Sequence, residues 1–354
     1  MGRNAREKRP PALPKVERVE LSDKHIGLRF LAFVLCLALG LCALGFGIYS
    51  LMSSEPGWAR IEADSEEAFA AGDFGFDYLL GEGATAQRKA LTTIYTQQCR
   101  ELGRLFDATK AYEDCPGNLG YINAHPGEDV TVDPRLYEAF ERLQEAGDRT
   151  VYLGLMEAYY LNLYYDREDV RAGQANPFTD TETAELFRQL AGFAESGAQV
   201  KLLGDNTLRL EVSPEYAELA GELGLECYLD FGWLRNAFIL DCIARELSGR
   251  GYTDGVLHSR DGFTRSLGGD VGEIGLSLYR WDGGRAVETG ARELGTPVNA
   301  AALNCFPMDG DDGRAYVNQS VLLGGGNAPE ETLLAWSETE DCVGLALEAM
   351  AKAE

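Results

Sequence analysis

The sequence predicts a mixed α+β domain held outside a membrane by one N-terminal transmembrane helix. Three observations carry this. Residues 30–54 contain no charged residue, and residues 30–52 (FLAFVLCLALGLCALGFGIYSLM) are almost wholly apolar. Further on, apolar residues recur at helical spacing in some segments and at every second position in others, without strict alternation of the two kinds of element. The chain of 354 residues is also long enough to bury one large core or two modest ones.

At about 1.5 Å per residue the apolar run is long enough to cross a hydrocarbon layer of roughly 30 Å. A core helix is rarely apolar on every side for so long. Residues 1–29 carry eight Lys/Arg and four Asp/Glu, a net charge of +4 in a chain whose total is −25. A basic flank on the N-terminal side places that side in the cytoplasm, and everything after the anchor outside it. The expected layout is therefore a basic tail (1–29), an anchor (30–52), a linker (53–74) and an extracytoplasmic domain (75–354). The run exceeds a usual signal-peptide core, and Leu41 before Cys42 does not suit lipidation, so an uncleaved anchor is expected.

The acidic balance beyond the tail disfavours nucleic acid and anionic lipid as partners. There is no CxxC and there are only three histidines, which argues against a zinc site. Six of the eight cysteines lie beyond the anchor. They read as buried thiols with one or two disulfides among them, in a pairing that spacing does not fix.

Within the domain, residues 84–106 place Leu91, Ile94, Tyr95, Cys99, Leu102 and Leu105 at helical spacing. Residues 107–132 read as loop, with Pro116-Gly117 and Pro126-Gly127 as turns. Asp133-Pro134 opens a helix, as N-cap and first helical residue, with Leu136, Phe140 and Leu143 on one face. Residues 150–165 fit helix or strand, and 180–195 fit helix. The runs at 199–203 and 207–212 flank Gly204-Asp205-Asn206 as a hairpin. Residues 226–230 read as a strand end that passes through a Gly turn into a helix over 234–247. Strands are expected at 254–258, 274–281, 298–304, 315–323 and 332–336, and a last helix at 338–351.

The polar residues of interest sit at the ends of these elements. Asn123 lies in the 107–132 loop. Leu229-Asp230-Phe231-Gly232-Trp233-Leu234-Arg235-Asn236 leads into a helix that carries Asp241. Val256-Leu257-His258-Ser259-Arg260-Asp261-Gly262 ends a strand in a turn, and Glu340-Asp341 falls in the first turn of the last helix. Taken singly, a loop Asn is more often a turn former, and an Arg-Asp-Gly turn is more often solvated surface. His258 is a lone histidine near a strand end, of the kind that is usually structural.

Taken together, their order over roughly residues 75–351 resembles the ApbE family of FAD:protein FMN transferases, a T-fold-related α+β architecture. Asp230, Gly232 and Asp241 match its "L-D-L-G-G-(I/A)-A-K-G-x-x-x-D" pattern, and Asp341 matches the Asp of "A-D-A-(L/W)-(A/S)-T-A-L". The resemblance implies cleavage of FAD and transfer of FMN, aided by Mg²⁺, to a Ser/Thr of an extracytoplasmic flavoprotein acceptor. It implies FAD contacts from Asn123, Asp230, Gly232, Asp241 and Arg260, and a metal contact from Asp341. The sequence departs from the pattern at four places. Trp233 replaces the second Gly, Asn236 the Lys, Arg260-Asp261 a Gly pair, and Leu345 the metal-binding Thr. The family's "H-I-x-D-P-x-T-G" loop is not recognisable at residues 314–319. Two readings stay open: a transferase with an altered site, and a non-catalytic protein that binds flavin or a partner.

Overall fold

The computed structural model describes residues 26–52, 55–161, 181–306, 308–309, 315–316 and 329–353. The chain forms two units, Met1–Ser53 and Ser54–Glu354. In the first, helix α1 covers Ile26–Met52, and its large side chains from Phe30 to Leu44 are exposed. Side chains of α1 are described without a break only over residues 30–45. Among the described residues no helix is both long and apolar enough to cross a membrane. Residues 1–25 of the expected basic tail lie outside the described residues.

The second unit runs β1 (Gly57–Arg60), a 3-10 turn (Phe69–Asp73), β2 (Phe74–Leu80), α2 (Ala84–Leu105), α3 (Leu119–Ala124), β3 (Asp129–Thr131) and α4 (Pro134–Ala146). A second 3-10 turn (Thr150–Leu153) leads into α5 (Gly154–Leu161), then α6 (Thr181–Ser196), β4 (Ala198–Gly204), β5 (Thr207–Val212), α7 (Pro214–Leu223) and α8 (Leu234–Gly249). The rest is β6 (Gly255–Ser259), β7 (Phe263–Ser266), β8 (Glu273–Trp281), β9 (Ala286–Gly295), β10 (Asn299–Leu303), β11 (Met308–Asp309), β12 (Ala315–Tyr316), β13 (Leu333–Ser337) and α9 (Cys342–Ala351).

The main sheet has the order β1-β2-β6-β7-β10-β13 and is antiparallel throughout. Its alternation follows from the strand period: on β2, Phe74, Phe76, Tyr78 and Leu80 are buried while Asp77 and Leu79 are partly exposed. Helices α2, α8 and α9 pack together and against this sheet. α8 lies innermost, with Ala237, Ile239, Leu240, Ile243 and Leu247 at most 1 % exposed. A smaller sheet, β3-β5-β4, carries the expected hairpin at 204–206. Asp205 and Asn206 both adopt positive φ there, as a tight hairpin requires.

The expected helices form close to their expected bounds. Asp133 caps α4 by accepting from Arg135 N, with Pro134 at its start. Several expectations need correction. Residues 57–73 are not linker: β1 forms the sheet edge, and Ile61 is 1 % exposed. The loop at 107–132 contains α3 and β3. Residues 226–230 form no strand: the Asn123 side chain and the Val151 carbonyl, rather than a neighbouring strand, take the backbone groups of residues 228–230. Strands β7 and β9 and helix α7 escaped the pattern reading, and only 315–316 of the strand expected at 315–323 lies within the described residues. No disulfide forms: all eight cysteines are free, and burial pushes the Cys99 thiol up to about 12 and those of Cys242 and Cys305 up to about 11.

Candidate functional site

The segment before α8 is extended, without a strand partner. Asn123 on α3 takes the partner's place. It is 1 % exposed. Its Nδ2 donates to Ala108 O at 2.8 Å and Leu229 O at 2.9 Å. Its Oδ1 accepts from Tyr228 N at 3.1 Å and Leu229 N at 2.9 Å. Both donors and the acceptor are engaged by backbone, so Asn123 braces the segment and has nothing to offer a flavin. Phe231 then anchors the turn by ring contacts with Phe106, Phe140 and Phe238, at 5.2–5.3 Å between centroids.

At the turn itself, Asp230 Oδ1 accepts from Gly232 N at 2.8 Å. Gly232 sits at φ +50, and a Cβ there would lie 3.2 Å from Glu157 Oε1. The side chain of Glu157 on α5 therefore reaches the place above Gly232 where a phosphate would approach. Burial raises the Asp230 carboxyl, with Asp107 adding to it, while Gly232 N–H and Arg235 oppose. Burial, followed by the charge of Asp230, puts Glu157 well above the usual carboxylate range. A carboxyl raised in this way is held neutral, so Glu157 obstructs the approach to Gly232 by filling space.

The departures from the family pattern meet one another. Trp233 stacks on Phe263 at 4.5 Å between centroids, and its Nε1 donates to Asp261 O at 2.9 Å. Asn236 Nδ2 donates to Asp261 Oδ2 at 2.9 Å, and Ser259 Oγ donates to Asp261 Oδ1. Ser259 Oγ also accepts from Phe263 N at 2.9 Å. The turn before α8 is thus bonded directly to the β6–β7 turn. Asp261 is exposed as a residue, but its carboxylate is ringed by these groups. Crowding raises it to about 6 against the pull of Ser259 and Asn236.

The third element is the N-terminus of α9. Asp241, 5 % exposed, reaches across from α8 and accepts from Cys342 N at 3.1 Å and Val343 N at 3.0 Å. Asp341 is the N-cap and accepts from Gly344 N at 3.0 Å. Arg142 of α4 holds both Asp341 oxygens in a fork, at 2.6 and 2.5 Å. Arg265 of β7 stands 3.0 Å from Asp241 through its Nε, outside hydrogen-bond geometry. Burial and the neighbouring Asp341 charge push Asp241 up to about 6, with Arg265 and the two amides opposing. Burial would raise Asp341 as well, but Arg142, Gly344 N–H and Arg265 outweigh it and hold the carboxyl below its ordinary value.

These residues do not fit a magnesium ion. Both Asp341 oxygens are committed to Arg142, Leu345 offers no oxygen, and among the described residues no group of three or more His, Cys, Asp or Glu could hold a metal. Asp341, from which a metal contact was expected, is held by Arg142 in this structure. Neither turn presents open backbone: Glu157 lies over Gly232, and Trp233 is bonded and stacked onto the β6–β7 turn. The structure gathers Asn123, Asp230 and Gly232 at one turn, and Asp241 with Asp341 at the α9 N-terminus. Arg260 stands apart, in a cleft with Arg60 and His258. Pattern reading missed Arg142, Arg265 and Glu157. Arg142 and Asp341 lie 199 residues apart, and nothing local marks them as partners.

An antiparallel sheet backed by helices, with acidic residues at a glycine turn and at the start of the last helix, defines a mixed α/β class of which solved examples exist. The flavin transferase ApbE from Vibrio cholerae is similar with a TM-score of 0.55 and 15% sequence identity, over 84% of this chain and 86% of that one. A histidine-to-glycine mutant of that protein is similar with a TM-score of 0.52 and 14% identity, over 84% and 85%. The chain has the ApbE fold. No protein-family model matches it, and no curated protein matches it.

Proposed function

We propose that this chain is a membrane-anchored, extracytoplasmic protein of the ApbE fold that carries out no flavin transfer and works by binding a partner outside the membrane. One observation carries the reading. The two turns where the resemblance places pyrophosphate and flavin are bonded to each other through Trp233, Asn236 and Asp261. Two contacts of the same kind support it: Asp241 takes the α9 amides that an anion would use, and Arg142 takes Asp341. Anchor and orientation rest on the apolar run at 30–52 and the basic tail before it.

A second reading, an FMN transferase with an altered site, is favoured by the retention of Asp230, Gly232, Asp241 and Asp341. Asp341 also lies close enough to raise Asp241 by its charge. The experiment is to incubate the full chain in detergent with FAD and Mg²⁺ and to measure AMP by chromatography. The first reading expects no AMP above the buffer control. AMP release that disappears in Asp341→Ala would establish the second.

A further inference from the structure

A cleft of about 560 Å³ opens between β1, β2 and β6 and the chain from residue 61 to residue 72. It involves none of the residues on which the flavin reading turns, apart from Arg260 in its lining. Gly75 on β2 pairs in register with His258 on β6, and Arg60 on β1 pairs with Asp77. A Cβ on Gly75 would lie 2.0 Å from Arg60 Nη1 and 2.2 Å from His258 Nε2. Only glycine lets a guanidinium and an imidazole lie side by side over the strand, 3.3 Å apart.

One carboxylate stands behind both groups. Asp77 Oδ1 is 3.3 Å from Arg60 Nε, and its Oδ2 is 3.9 Å from His258 Nδ1. Asp77 thus orients the pair from the rear, and the nitrogens that meet over Gly75 are those turned away from it. Arg60 donates to Nε2, so the imidazole presents a lone pair there and is neutral. Burial, then the Arg60 charge, holds His258 below its ordinary value, with Asp77 opposing. The Arg60 guanidinium carries N–H donors beyond those turned to Asp77 and His258, and Arg260 adds a second cation to the lining, so an oxyanion finds both donors and opposite charge there. The neighbouring wall is apolar, from Ile61, Phe69 and Phe74. Glu62 and Glu66 also line the cleft and disfavour ligands with dispersed negative charge.

We propose that the cleft at Arg60, Gly75 and His258 binds a small ligand with a single oxyanion head, phosphate or carboxylate, on a compact apolar body. The test titrates phenyl phosphate, benzoate and inorganic phosphate into the full chain in detergent, by calorimetry. Phenyl phosphate or benzoate binds with a Kd between roughly 10 μM and 1 mM, and whichever binds tighter identifies the head. Inorganic phosphate, without the apolar body, binds about tenfold more weakly. Arg60→Gln and Gly75→Ala each weaken the better probe about tenfold or more while the far-ultraviolet dichroism stays unchanged. If Gly75→Ala fails to fold, Arg60→Gln and His258→Gln decide. Absence of binding by all three probes, wild-type affinity in the variants, or equal affinity for inorganic phosphate and phenyl phosphate overturns the proposal.

Discussion

Replacing Arg142 by Met tests whether Asp341 is a structural carboxylate or a ligand held in reserve. Met keeps much of the apolar stem and removes the guanidinium fork. Exposed ion pairs contribute about 0–1 kcal/mol, and breaking a fully buried one costs about 3–5 kcal/mol. The Arg142 and Asp341 side chains are 28% and 25% exposed, so the pair falls between these limits. A loss of about 2–3 kcal/mol at neutral pH is expected. The Gly344 N–H bond to Asp341 remains, which keeps the loss below the buried limit. Burial then acts on Asp341 without its main opponent, so its pKa rises, with Gly344 N–H and Arg265 still opposing. The assay is urea unfolding of the full chain in detergent, with and without roughly 10 mM Mg²⁺, since a ligand of the folded state raises stability by RT ln(1 + [L]/Kd). The account expects the loss in the variant and no effect of Mg²⁺ on the wild type. A loss under about 0.5 kcal/mol, or stabilisation of the wild type by Mg²⁺ that Asp341→Asn removes, refutes it.

Three further outcomes follow from the same contacts. Trp233→Ala removes a buried indole, its stack on Phe263 and its bond to Asp261 O, and should cost about 3–5 kcal/mol in chemical unfolding; a cost below about 1 kcal/mol would mean that the indole is a loose lid. Asn123→Ala leaves Tyr228 N, Leu229 N, Ala108 O and Leu229 O without their partner, for a loss of about 2–4 kcal/mol. Amide exchange at Tyr228 and Leu229 should then accelerate, and unchanged exchange would contradict the brace. Asp241 should titrate near 6 by carbon NMR. Its folded pKa is raised above the unfolded one, so the folded state binds more protons between about pH 4 and 6 and this group's contribution to stability declines as pH rises through that window. Asp341 acts oppositely: its folded pKa is depressed, so its contribution is present above the unfolded value and is lost as pH falls through the folded one. A carbon titration that puts Asp241 at or below the ordinary carboxylate value contradicts the picture of a buried, crowded carboxylate.

The parts of the fold legible in the sequence were those with a long period. α2, α4, α8 and α9 announced themselves through repeated apolar faces, and Asp133-Pro134 and Gly204-Asp205-Asn206 through local chemistry that acts within a few residues. β1, β3 and β7 are too short for a period to emerge, and β9 is exposed along most of its length. The order Asp230, Gly232, Asp241, Asp341 was enough to indicate the ApbE fold. The site was legible only in part. Trp233 and Asp261 could be seen to stand in the wrong places for a cofactor, but not to bond to each other. Arg142, Glu157 and Arg265 reach the site from other elements, by packing that no local pattern encodes.

The central claim is that protein side chains occupy the place of the flavin. A titration of FAD with the full chain, followed by flavin fluorescence, tests this most directly. The account predicts no saturable change up to about 100 μM protein in Arg60→Gln, a background that excludes binding through the separate Arg60 cleft. Saturable quenching in the micromolar range that persists in Arg60→Gln and is lost when Gly232→Val is added would contradict it.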